Sequence, residues 1–206
     1  TTTEEVQALL KRIGVDGVRY EEFFITSFDG DVLGLYDYLT EYENLDELNH
    51  LACLLSELEQ SDLEKFEAVI DSGEHTSSVA DLINLTQNLD CYDLFPDIES
   101  EEDLGRYCME DLDIPDALRD YFNYEAYGRD VLIEGGGHLA PGGYIVQTSG
   151  DFKEFYHDTK DIPAEHRVFS YPKLSIREQM AAYKEIIDGS SLEGYRKLSH
   201  KEREER

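Results

Sequence analysis

The chain has 206 residues, 40% of them hydrophobic and including 14 Tyr and 9 Phe, enough large apolar side chains to build real cores and to exclude a disordered acidic tail. Against 18 Lys and Arg stand 47 Asp and Glu, a formal charge of -29, which excludes binding to nucleic acid or an anionic membrane surface and points to cationic partners. Three cysteines, Cys53, Cys91 and Cys108, are an odd number without C-x-x-C spacing, so neither a disulfide framework nor a zinc site is expected, and a reducing cytoplasm is the expected setting.

Thr2 and Glu5 have capping-box spacing before an apolar series Val6, Leu9, Leu10 and Ile13 that stops at Gly14, which predicts a short first helix. The chain opens TTTEEV without a Met and so reads as a truncated start. Aromatic and β-branched residues over 20–39, broken by Asp29-Gly30-Asp31, predict a strand pair or a strand and loop. Asn44 with Glu47 opens a helix over 45–58, with Leu48, Leu51, Ala52, Leu55 and Leu58 as its apolar stripe and the acids facing water. Ser61 with Glu64 reads as a second capping box before Leu63, Phe66 and Ile70, and Val79, Leu82, Ile83 and Thr86 mark a further helix. NLDCYDLFPDIES reads as a loop. Ser100 with Asp103 caps a helix through Leu104, Tyr107 and Cys108, and Pro115 suits the first turn of a helix through Leu118, Tyr121 and Phe122. Glycines 135–137 and 142–143 flank a hairpin ending GYIVQT. Past Gly150 the composition changes: Ser175 and Glu178 cap a helix with Ile176, Met180, Tyr183 and Ile187, and a mixed-charge end follows, so 151–206 reads as an appendage.

The negative charge is not spread evenly. Residues 20–130 hold 31 acids and only four bases, Lys65, Arg106, Arg119 and Arg129, a net -27, whereas 151–206 hold 12 acids and 11 bases. General solubilisation, as in proteins of salt-rich habitats, would not spare the tail. Like charges four apart on a helix disfavour it by about 0.2–0.5 kcal/mol per pair, so repeated repulsion calls for a reason. A DNA duplex carries one negative charge per roughly 1.7 Å of axis, and proteins grip it through cations on the phosphates. Acids four apart on a helix stand about 6 Å apart along its axis, so acidic outer faces can present rows of false phosphates. Glu43/Glu47 and Glu99/Asp103 have this spacing, and Glu64/Glu67, Asp90/Asp93 and Asp113/Asp116 are three apart.

LDELNHLACLLSEL at 45–58 and LGRYCMEDLDIPDALRDYFNYEAYGRD at 104–130 resemble the ArdA antirestriction family. Ile114 to Asp130 is similar to that family's C-terminal signature, and GYIV fits its closing strand; the resemblance covers about residues 1–150. It implies an α+β fold, an elongated row of small α/β domains with short helices and few-stranded sheets, paired into a homodimer, whose acidic surface mimics bent DNA and blocks the DNA-binding groove of type I restriction-modification enzymes. The expected divisions are 1–43, 44–98 and 99–150, with 151–206 as an extension past the family's usual end. The resemblance places the family's opening strands before TTTEEV, so the first of these divisions is expected to be incomplete. The acidic surface carries over to Asp46, Glu47, Glu57, Glu59, Asp62, Glu64, Glu99, Glu101, Glu102, Asp103, Asp116, Asp120, Glu125 and Asp130. Glu67, Asp90, Asp93, Asp97, Glu110, Asp111 and Asp113 complete the expected surface. Tyr121, Phe122, Tyr124 and Tyr127 are expected in a core or dimer contact, and Arg129 against a carboxylate.

The alternative within this class is an acidic mimic aimed at another DNA-binding protein, such as a nucleoid protein or a nuclease. For an enzyme, nothing organises the carboxylates: the six histidines are scattered, and GGGH at 135–138 lacks the Lys and Ser/Thr of a phosphate loop. For a calcium loop starting at Asp29, Leu33 stands where a ligand is required and Thr40 where the closing Glu belongs. No enzyme activity, cofactor or metal is expected.

Overall fold

A computed structural model describes residues 2–15, 24–110, 114–115, 119–148 and 152–169 of the chain. Among these residues it shows six α-helices, α1 (Thr3–Ile13), α2 (Leu45–Glu57), α3 (Gln60–Asp71), α4 (Val79–Thr86), α5 (Glu101–Glu110) and α6 (Tyr124–Gly135). Three strands, β1 (Tyr92–Phe95), β2 (His138–Ala140) and β3 (Gly143–Gln147), form one antiparallel sheet in the order β1-β3-β2. The fold is α+β with short helices.

Local capping chemistry sets most helix starts. The Thr2 side chain accepts from the backbone of Glu5 while Glu5 reaches back to the backbone of Thr2, and α1 ends at the left-handed Gly14, φ 84°. Asn44 accepts from the backbone N–H groups of Asp46 and Glu47 and opens α2; Ser100 accepts from that of Asp103 and opens α5. Each such cap contributes about 1 kcal/mol. Ser61 does not cap: α3 begins at Gln60, because the Glu59 carbonyl already accepts from Asp62 and Leu63, leaving Ser61 inside the first turn.

Two further expectations are corrected. Of the stretch 20–39, residues 20–23 lie outside the described residues; over 24–39 there is no strand, and a 3-10 turn at Leu35–Tyr38 stands there instead, tied down by the Tyr38 hydroxyl donating to the Ile70 carbonyl at 2.7 Å. The loop expected after α4 contains β1, whose Tyr92–Phe95 pair with Gln147–Tyr144 of β3. The hairpin β2–β3 forms as read, with His138 opposite Ile145, and GYIV lies in the middle strand of the sheet. Residues 116–118 of the helix expected after Pro115 lie outside the described residues, and the helix expected after Ser175 lies wholly outside them.

The main core gathers Leu51, Phe66, Val69, Ile70, Leu82, Ile83, Leu85 and Tyr92 with Leu35 before them and Ile145, Tyr156 and Ile162 after them. Burying one such side chain contributes about 1.5–3 kcal/mol. Residues 152–169, expected as part of an appendage, are built into this core. Asn84 holds their backbone like a paired strand edge: its Oδ1 accepts from Phe155 and Tyr156 N–H (2.8 and 2.9 Å) and its Nδ2 donates to the Tyr156 carbonyl (2.9 Å). Asn88 does the same for Lys153, in both directions. Val168 and Phe169 close a second cluster with Leu10 of α1. A third cluster, Ile98, Leu104 and Tyr144, joins α5 to the sheet. There α5 and α6 cross at Gly105 and Gly128, where a Cβ would strike the backbone carbonyls of Tyr124 and Glu101.

Candidate acidic interface

α2 carries the first acids of the expected surface, and the structure divides them. Asp46 is a correction: it is only 2% exposed and not on the surface, because its Oδ1 accepts from the backbone N–H groups of Val168 (2.6 Å) and Phe169 (3.0 Å). A buried carboxylate bonded to two N–H donors is a structural anchor. Glu47 is half-buried and accepts from the Tyr156 hydroxyl at 2.6 Å. Burial, then this carboxylate, push the Tyr156 phenol above its ordinary range. Glu57 and Glu59 at the α2–α3 junction are exposed. On α3, Glu64 is exposed while Asp62 and Glu67 are half-buried, and Glu67 accepts from the Leu33 N–H at 2.9 Å.

Asp90, Asp93, Asp97 and Glu99, before, in and after β1, are all exposed. Alternation along the strand explains Asp93: Tyr92 points into the core, so its neighbour points out. On α5 the exposed Glu102, Arg106 and Glu110 follow one another four apart on one face, the row that helical spacing dictates. Glu101 and Asp103 are half-buried, the latter accepting from the Ser100 hydroxyl at 2.5 Å. Asp120, Glu125 and Asp130 are exposed around α6. Asp111, Asp113 and Asp116 lie outside the described residues.

Arg106 and Arg129, cations of the acidic block, are held by its own carboxylates. Arg129 reaches from α6 to Glu101 (2.9 Å) and Glu125 (3.1 Å), the carboxylate pairing expected of it. Arg106 bonds Glu102 at 2.6 Å and lies 4.4 Å above the Tyr124 ring. The hydrogen bonds that Arg106 donates to Glu102 and Arg129 donates to Glu101 raise both guanidinium pKa values further. These exposed pairs contribute little stability, but they keep cationic charge from projecting freely.

Of the aromatics expected in a core or dimer contact, Phe122 packs edge-on against Tyr124 and Tyr127, whereas Tyr121 is 87% exposed. Spacing gave no sign of three long-range links: Asp71 to His138 (2.8 Å), Glu74 to Tyr92 (3.2 Å) and His50 to His166 (2.8 Å). Among the described residues, no three His, Cys, Asp or Glu are grouped to hold a metal ion, and no helix is long and apolar enough to cross a membrane. A family model described as Antirestriction protein (ArdA) matches residues 1–146. No curated protein matches the chain.

Proposed function

The chain belongs to the ArdA antirestriction family, and from that premise we propose that it acts without catalysis, as a protein mimic of DNA that fills the DNA-binding groove of type I restriction-modification enzymes. The observation that carries this reading is the confinement of charge: a net -27 between residues 20 and 130, with Glu57, Glu59, Glu64, Asp93, Asp97, Glu99, Glu102, Glu110, Asp120, Glu125 and Asp130 all exposed. A groove that grips phosphates through Lys and Arg is attracted to such a face whatever sequence it normally reads. Family membership supplies the class of target.

The test is competition. The purified chain should displace a DNA duplex from the methyltransferase core of a type I enzyme, and its inhibition should weaken as salt is raised, because salt screens exposed charges over about 10 Å at 0.1 M. Absence of competition at low salt rejects this target. Competition that ignores salt rejects the electrostatic basis.

A further inference from the structure

A small cavity lies on the acidic face, beside α3. Four residues spaced along α3, Glu64, Glu67, Ala68 and Asp71, share one side of that helix, and opposite them stand Leu33 and the β2–β3 turn, Pro141-Gly142. Together they enclose about 170 Å³. Leu33, Ala68 and Pro141 make the walls and floor mostly apolar, and the three carboxylates sit around them. The walls are fixed in place before anything binds. Glu67 holds the Leu33 backbone at 2.9 Å, and Asp71 holds His138 of the hairpin at 2.8 Å. Leu33 is nonetheless 68% exposed.

DNA phosphates have no apolar pocket between them, so charge imitation does not account for this feature. An apolar stem ending in a cation does match it: methylenes leave water against Leu33, Ala68 and Pro141 while the charged head meets Glu64, Glu67 and Asp71. Resting on the DNA-mimic reading, we propose that this cavity receives one lysine or arginine side chain of the partner enzyme. It would then anchor the complex at one place, as deep pockets do within otherwise diffuse interfaces.

Ethyl-, n-propyl- and n-butylammonium ions, titrated into the full chain at constant ionic strength, test the cavity directly through the methyl resonances of Leu33 and Ala68. The expected result is a saturable shift at both methyls, with affinity rising about fourfold per added methylene as the stem leaves water. Gly142→Phe should abolish it, because it adds an uncharged ring to a residue that lines the cavity, at a position where a Cβ meets no atom within 4 Å. Leu33→Ser, which removes one wall at an exposed position, is the second variant should Gly142→Phe fold poorly. Affinity independent of chain length, or n-butanol binding as well as n-butylammonium, overturns the proposal. In the DNA-competition assay, Gly142→Phe should inhibit several-fold more weakly than the wild type. Equal inhibition by the two proteins overturns the anchor while the mimic reading stands. A wild type that does not inhibit overturns the mimic reading, and the amine titration still decides whether the cavity takes a cationic stem.

Discussion

Nδ1 of His50, on α2, lies 2.8 Å from Nδ1 of His166, in the segment that follows the sheet. One of these nitrogens must donate and the other accept, so the contact is lost when both rings are protonated. Burial first, then the neighbouring His166, lower the His50 pKa from its ordinary value, with Glu57 opposing. The folded chain therefore holds His50 neutral in a range where the unfolded chain would protonate it. The resulting stability is full above the ordinary imidazole range and is lost as pH falls through it. Melting temperatures measured at about pH 8 and about pH 5.5, either side of that range, should fall further for the wild type than for His50→Gln. Parallel changes in the two proteins would show that His50 does not titrate with folding.

Asp46 and Glu57 are both acids of α2, yet they should behave oppositely. Asp46→Ala leaves the buried N–H groups of Val168 and Phe169 without their acceptor, a loss of about 2–4 kcal/mol. Glu57→Gln alters an exposed position and should stay within about 0.5 kcal/mol. Urea unfolding of the two variants distinguishes them, and equal stabilities would refute the anchoring role of Asp46.

The α5–α6 crossing gives a third expectation. Alanine normally improves on glycine inside a helix by about 1 kcal/mol. At Gly105 and Gly128 the added carbon would meet the backbone of the facing helix, so both substitutions should destabilise by about 1–3 kcal/mol. Gly135→Ala, whose new carbon meets only the Tyr144 hydroxyl at an ordinary 3.7 Å, should not. Thermal unfolding of the three variants checks the contrast.

These positions also show what the sequence could disclose. Caps at Thr2, Asn44 and Ser100 were legible because their partners lie within three residues, and the acidic block was legible because charge is a property of composition. β1 was not, since Tyr92–Phe95 pair with a strand some fifty residues later and carry too few residues for alternation to stand out. α6 was hidden by Gly128, which lowers helix propensity but is needed where α5 approaches. Helical periodicity put Asp46 outside; only the fold brings Val168 and Phe169 to it from 122 and 123 residues away. The docking of 152–169 rests on side-chain amides, Asn84 and Asn88, which have no period to read.

Graded neutralisation of exposed carboxylates bears most directly on the proposed mimicry. Glu57→Gln, Glu59→Gln, Asp97→Asn, Glu99→Gln and Glu110→Gln, all at exposed positions, would be combined one after another and each protein assayed for displacement of DNA from a type I methyltransferase core. The account predicts stepwise weakening with each lost charge, a flatter salt dependence and unchanged folding. Inhibition that survives all five substitutions, or that disappears at a single one, would contradict it.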